Sequence, residues 1–176
     1  MELWDIYDAH RNLTGRTCVR GDALAAGDYH IGVGVWIRNA LGQYLISRRT
    51  LNKSFGGLWE STSGAVLAGE DSLTAALREV REELGIALNP LNGMRICTFA
   101  TEDTIVDLWL FWHEVEMSDV VFQERETCDA RWATLEEMDA MIDAGTFVPF
   151  KRGEIDLVRQ ASDGWEGEAR GALGRI

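Results

Sequence analysis

The spacing of apolar positions along the chain changes period several times, and each change predicts an element. Residues 2–8 alternate, with Leu3, Asp5 and Tyr7 on one side and Trp4, Ile6 and Asp8 on the other. A turn at Asn12-Leu13-Thr14-Gly15 and a partner strand at 16–20 complete a hairpin, and Gly21, Asp22, Gly27 and Asp28 mark the loop that follows. A β-rich run at 30–37 turns through 39–42 into a strand at 43–49, and 59–63 forms another. Gly32 and Gly34, on alternate positions, leave one side of their strand bare, either for a packed helix or for a ligand.

Between 72 and 84 the period becomes helical. At 100° per residue Leu73, Leu77, Val80 and Leu84 share one side, and Glu79, Glu82 and Glu83 gather opposite. Ala75 and Ala76 lie on the carboxylate side one turn earlier, which predicts an open acidic face. Asp71 or Ser72 caps the first turn, and Gly85 is placed to end the helix. After a loop at 89–93, strands are expected at 95–101, at 104–116 (unusually long) and at 127–133. Thr134 and Glu137 open a capping-box helix with the apolar stripe Leu135, Met138, Met141 and Ile142. Beyond Pro149 a short helix at 153–160 precedes a glycine-rich stretch, 163–176, read as a loose tail.

Composition narrows the function. With 176 residues the chain is expected to be one domain, and its net charge of −12 repels polyanions, so nucleic-acid binding is excluded and metals must mediate phosphate contacts. Cys18, Cys97 and Cys128 are odd in number and widely spaced, which argues against a metal or disulfide framework. The start, MELWDIYDAH, lacks a basic-then-apolar leader, and no apolar run approaches a membrane span; no membrane association and a cytoplasmic location are expected.

Carboxylates at i, i+3 and i+4 repel one another by a few tenths of a kcal/mol per pair, so they need either solvent or a cation. Taken alone, REVREEL is more often a solvated charged face. A hard divalent ion is the alternative, because magnesium takes oxygen ligands and bridges carboxylates to phosphates. Upstream, Arg48, Arg49 and Lys53 form a cationic knot that suits either a diphosphate anchor or a solvated turn. Glu102, Asp103, Glu124 and Glu126 fit either a late metal ligand or base, or exposed turns; Trp4 fits a stacking platform or, as favoured, the hairpin's anchor.

The whole segment decides between these readings. Gly64, Glu70, Arg78, Glu79, Glu82, Glu83 and Gly85, with apolar residues at positions 80 and 86, match the Nudix box at every specified position, and chance gives such a match on the order of 10⁻⁹ per window. The chain therefore resembles the Nudix hydrolases. That resemblance implies an α/β fold, an α/β/α sandwich with a mixed sheet, in agreement with the order of strands and helices read above. The expected organisation is an N-terminal hairpin (1–28), the Nudix domain (29–162) and the tail (163–176).

The resemblance also implies Mg2+-dependent hydrolysis (Mn2+ as substitute) of a small-molecule diphosphate. Glu79, Glu82, Glu83 and the Gly64 carbonyl become metal ligands, and Glu70 and Arg78 the brace between loop and helix. Glu79 or Glu83 is the candidate base. Before the box, the chain resembles the isopentenyl diphosphate isomerase branch, through His30, Trp36 to Asn39, the Arg48-Arg49 to Lys53 run and Trp59. It departs where that branch has a proton-donating cysteine and two histidines, because Ser63, Ala65 and Ala23 stand there. A hydrolase is the better reading, with an isomerase or a catalytically silent diphosphate-binding module as alternatives. The hairpin and the long strand offer edges for a possible homodimer.

Overall fold

The computed structural model describes residues 2–173, with side chains described for 2–162. The hairpin forms from β1 (Leu3–Tyr7) and β2 (Leu13–Val19), antiparallel with Leu3 opposite Val19. Its turn is earlier than the Asn12–Gly15 expected. The Asp8 carboxylate accepts hydrogen bonds from the His10 and Asn12 backbone amides, and Arg11 takes a positive φ of 62°, so the reversal spans 8–12 and Gly15 falls inside β2.

The main sheet has seven strands: β3 (His30–Arg38), β4 (Tyr44–Arg49), β5 (Trp59–Glu60), β6 (Thr62–Ala65), β7 (Gly93–Ala100), β8 (Thr104–Trp112) and β9 (Thr127–Ala133). β3 and β8 run parallel from His30 opposite Thr104 to Arg38 opposite Trp112, and every other pairing is antiparallel, so the sheet is mixed. One predicted strand, 59–63, splits at Ser61: β5 pairs with β4, and β6 crosses to pair with β3. That crossing carries the chain from the cationic strand to the floor beneath the acidic helix.

Among the described residues three α-helices flank the sheet: α1 (Ser72–Leu84), α2 (Leu135–Asp143) and α3 (Arg152–Leu173). One face of the sheet packs Val33, Val35, Leu45 and Phe111 against Val80 and Leu84 of α1, and the other packs Trp36, Ile46, Leu108 and Leu110 against Met138, Ile155 and Val158. The result is the α/β/α sandwich anticipated. Helix boundaries obey local chemistry: Asp71 accepts from the Thr74 amide, Gly85 closes α1 at φ 71°, and Thr134 and Glu137 form a reciprocal capping box.

Four expectations need correction. Ala75 and Ala76 do not leave an open face, because both are fully buried and let α1 settle close to the sheet. β8 ends at Trp112, short of position 116, and lies between β3 and β7, so it offers no edge for pairing with another copy. The last helix begins at Arg152 and continues through the stretch read as a loose tail; once nucleated, a helix propagates through scattered glycines at about 1 kcal/mol each. Residues 174–176 of that tail lie outside the described residues. The cysteines are free thiols on β2, β7 and β9, and among the described residues no helix is long and apolar enough to cross a membrane.

The hairpin is docked by a buried carboxylate. Asp107 of β8 is fully buried and receives two hydrogen bonds from Arg11, at 2.6 and 2.5 Å, with further bonds from Thr98 and Arg95. Burial pushes its pKa up, but the hydrogen bonds of Arg11, Ser72 and Thr98 and the Arg11 charge outweigh burial and bring it down to about 2. This contribution to stability is present above the ordinary Asp value of 3.8 and is lost as pH falls through about 2. Arg11→Met should lower stability by about 2 kcal/mol in urea titrations and expose the 8–12 turn to limited proteolysis. Unchanged stability and cleavage would show that the hairpin is held elsewhere.

Candidate active site

A cavity of about 530 Å³ opens between α1, the start of β3, the loop after β4 and the start of α3. Of the residues expected to act, Gly64, Arg78, Glu79, Glu82, Glu83, Arg49 and Lys53 all line it. Glu70 stands behind Arg78, accepting Nε at 3.0 Å and Nη2 at 2.9 Å, while Arg78 also donates to the Ala65 carbonyl at 2.9 Å. The guanidinium thus ties loop, strand and helix together. Its pKa is raised chiefly by the Glu70 hydrogen bond.

Arg48 is the exception. Successive side chains on a strand point to opposite faces, so Arg49 enters the cavity and Arg48 is exposed outside it, donating from Nε to the Gly57 carbonyl. The diphosphate-anchor expectation for Arg48 is therefore not supported by its position.

The floor under α1 is glycine for a steric reason. A Cβ on Gly64 would stand 2.0 Å from Glu79 Cδ, and one on Gly32 would stand 3.1 Å from Thr104 Cγ2. Helix and strand approach closely at Gly64, and Glu79 and Gly64 line the cavity together. Gly34, by contrast, lies under Leu108 and Glu154, so the bare side of β3 meets α3 at Gly34 and forms cavity wall at Gly32.

The acids differ in environment. Glu79 is pushed above the ordinary carboxylate range by burial, partly offset by Arg78, to which it is bonded at 2.8 Å. Burial first, then the charges of Glu60, Glu79 and Glu126, push Glu83 up to about 8, and its Oε2 is a buried oxygen without a hydrogen-bond partner. Glu82 is open, with its side chain 49% exposed, and accepts from Arg78 at 3.1 Å. Among the described residues no three metal-ligating side chains converge on one point, and Arg78 bonds one oxygen each of Glu79 and Glu82. The donor set still fits a hard cation: oxygen ligands alone, a recess that a Cβ would fill, and a buried carboxyl oxygen without a hydrogen-bond partner.

Other groups in the cavity were not read as site residues. Glu60 is buried and ion-paired with Arg49. The late acid Glu126 reaches the cavity and pairs with Lys53, while Glu102, Asp103 and Glu124 do not line it. Trp4 anchors the hairpin by stacking on His30 with centroids 4.0 Å apart, yet it also forms cavity wall beside Glu2 and Arg20. Lys151 and Glu154 form a buried pair on the far side. No local sequence signal marks Glu60, Lys151 or Glu154, whose roles depend on strands and a helix meeting across long separations. The positions of Glu2 and Trp4 follow only from the hairpin's docking.

Residues 28–156 match the NUDIX domain, and the chain belongs to that family. It is 40% identical over 153 residues to an uncharacterised Nudix hydrolase of Listeria monocytogenes, covering 85% of this chain and 90% of that protein. A Nudix hydrolase of Deinococcus radiodurans is 31% identical over 132 residues, 73% of this chain and 75% of its own length. A crystal structure of a Deinococcus radiodurans protein superposes with a TM-score of 0.74 at 27% identity, covering 90% of this chain and 98% of that one. The chain is thus a Nudix hydrolase, a pyrophosphohydrolase of a family that generally uses divalent metals such as magnesium.

Proposed function

We propose that this chain cleaves the phosphoanhydride of a nucleoside diphosphate derivative or another organic diphosphate, with Mg2+ as its metal and Mn2+ as a substitute. The observation that carries this reading is the buried, unpartnered oxygen of Glu83, whose carboxyl is pushed up by burial and by the charges of Glu60, Glu79 and Glu126, a crowd of acids that a cation would relieve. Glu79, Glu82, Glu83 and the Gly64 carbonyl would hold the ion. When bound, such an ion neutralises charge on phosphate oxygens and acidifies water.

The protein's own groups prepare the rest. Arg78 must release Glu79 and Glu82 for them to turn to a cation, and its bonds to Glu70 and the Ala65 carbonyl keep it in place when it does. Arg49 and Lys53 are held ready by Glu60 and Glu126, and a diphosphate would replace those carboxylates as their partner. Glu79 and Glu83, whose burial raises their affinity for protons, are suited to take one from attacking water. Ser63 and Ala65 line the cavity where the isomerase branch has a cysteine and a histidine, which favours hydrolysis over double-bond migration.

Incubation with dinucleotides, nucleotide sugars, ADP-ribose and prenyl diphosphates tests the reading by product analysis. Phosphate-containing fragments support it; double-bond migration without P–O cleavage, or binding without products, overturns it. Glu82→Gln should cut turnover at least about tenfold with an unchanged melting temperature, since the side chain is half exposed. Wild-type turnover with saturating magnesium would remove Glu82 from the ligand set.

A further inference from the structure

The residues that match the NUDIX domain begin at 28, so the hairpin of β1 and β2 lies outside them. The hairpin nevertheless bonds the loop between β6 and α1, from which Glu70 braces Arg78.

Residues 67–70 of that loop form a tight turn. The Glu70 amide donates to the Leu67 carbonyl at 2.9 Å, and Gly69, in third place, takes φ 80°. That is the positive-φ position of a type II turn, which glycine fills without strain. The Glu70 carboxylate closes the turn a second time, because its Oε2 accepts from the Leu67 amide at 3.1 Å. The same carboxylate accepts from Arg78 Nε and Nη2. Turn and brace are therefore one unit, and moving the first moves the second.

The two remaining amides of the turn are held by β1. Ala68 donates to the Leu3 carbonyl at 2.8 Å, and Gly69 donates to Asp5 Oδ2 at 2.7 Å. A further tie follows at the start of α1, where Ser72 and the hairpin's Arg11 both bond the buried Asp107 carboxylate. The hairpin thus grips the stretch 68–72 at both ends.

Stability does not call for the grip on the turn. Ala68 and Gly69 are exposed, and water can replace both partners of exposed amides at little cost. Water cannot fix a position, and the position of Glu70 matters to the acids of α1. Arg78 bonds Glu79 and Glu82 as well as Glu70, so it stays behind when those two turn to a cation only if Glu70 keeps hold of it. A Glu70 that drifts leaves Arg78 to follow Glu79 and Glu82 and to compete with the cation for them.

We propose that Asp5 is a positioning residue for the hydrolysis: through the Gly69 amide it fixes the turn that aims Glu70 at Arg78, and so leaves Glu79 and Glu82 free to take a divalent cation. Asp5 itself stands outside the cavity and acts only through the turn. The hairpin is in this way a working part of the active site. The assignment deepens the reading of Glu79 and Glu82 as metal ligands and rests on it.

Its test is Mn2+ binding to the full chain, followed by the electron paramagnetic resonance signal of the free ion, which needs no substrate. Asp5→Ala should weaken Mn2+ binding about fivefold and speed hydrogen exchange at the Gly69 amide, with the melting temperature unchanged. Asp5→Asn removes the same charge but keeps an oxygen that accepts from Gly69, so it should bind Mn2+ as the wild type does. Arg16→Ala, which breaks the exposed Arg16–Asp28 pair of the same hairpin, should change neither Mn2+ affinity nor exchange at Gly69.

Wild-type Mn2+ affinity in Asp5→Ala overturns the proposal. Equal weakening in Asp5→Ala and Asp5→Asn overturns it in favour of a plain effect of charge, and equal weakening in Asp5→Ala and Arg16→Ala overturns it in favour of a general prop. A wild type that binds no Mn2+ removes the metal ligands on which the proposal rests, and so the two failures are distinguishable.

Discussion

Glu83→Gln is expected to abolish most turnover while making the metal-free protein more stable at alkaline pH. Glu83 is placed by α1 where burial and the charges of Glu60, Glu79 and Glu126 push it up to about 8. In the unfolded chain its pKa returns towards the ordinary value of 4.5. Between those values the native state binds more protons than the unfolded state, so stability falls as pH rises through the window. A glutamine keeps the shape, cannot ionise, and offers an amide to the surrounding carboxylates.

The measurement is a series of melting curves in EDTA from about pH 5 to about pH 9. The wild type should lose stability with rising pH, and Glu83→Gln should show a reduced slope, with the residue due to Glu79, whose carboxyl is also raised by burial. Magnesium should flatten the wild-type curve, because an ion that binds only the native state stabilises it. Turnover should fall at least about a hundredfold, the scale of removing a charged group from a centre that must offset phosphate charge. A variant with wild-type rates, or with the wild-type pH slope in EDTA, would mean that Glu83 neither meets the metal nor carries the buried charge.

The box helix was legible because its signals are local. Asp71, the apolar positions from Leu73 to Leu84, and Gly85 define α1 within one stretch of sequence, and the structure begins and ends it there. The same holds for β9 and for the capping box at Thr134. Periodicity was less informative about how wide a face of the helix is buried. A helix packed flat on a sheet buries a broad arc, so Ala75 and Ala76 became core and the site moved from an open face to a recess. The cationic knot divided because a strand places consecutive side chains on opposite faces, which composition alone does not register. Glu60, Lys151 and Glu154 acquire meaning only when β5 pairs with β4 and α3 closes the far wall; those contacts are long-range and leave no periodic trace.

Gly64→Ala should destabilise the fold and abolish turnover together, although it adds a single methyl group. The added Cβ would lie 2.0 Å from Glu79 Cδ and 2.1 Å from its Oε1, well inside contact distance. Glu79 cannot give way freely, since Arg78 holds Oε1 at 2.8 Å and Arg78 is itself fixed by Glu70 and the Ala65 carbonyl. Either α1 lifts from β6 or the carboxylate turns out of the recess. Overpacking of this kind costs about 1–3 kcal/mol, which lowers the melting temperature by about 5 °C in a chain of this length. Gly64 has no positive φ to forbid alanine, so the effect is one of contact rather than of backbone strain. The double variant Gly64→Ala with Glu79→Ala separates the two losses. It removes the group that the methyl meets, so the melting temperature should recover while turnover stays absent, because the recess then lacks a carboxylate. Should Gly64→Ala melt and turn over like the wild type, the close approach of helix and strand would not be what shapes the site, and the ligand set built on it would have to be redrawn.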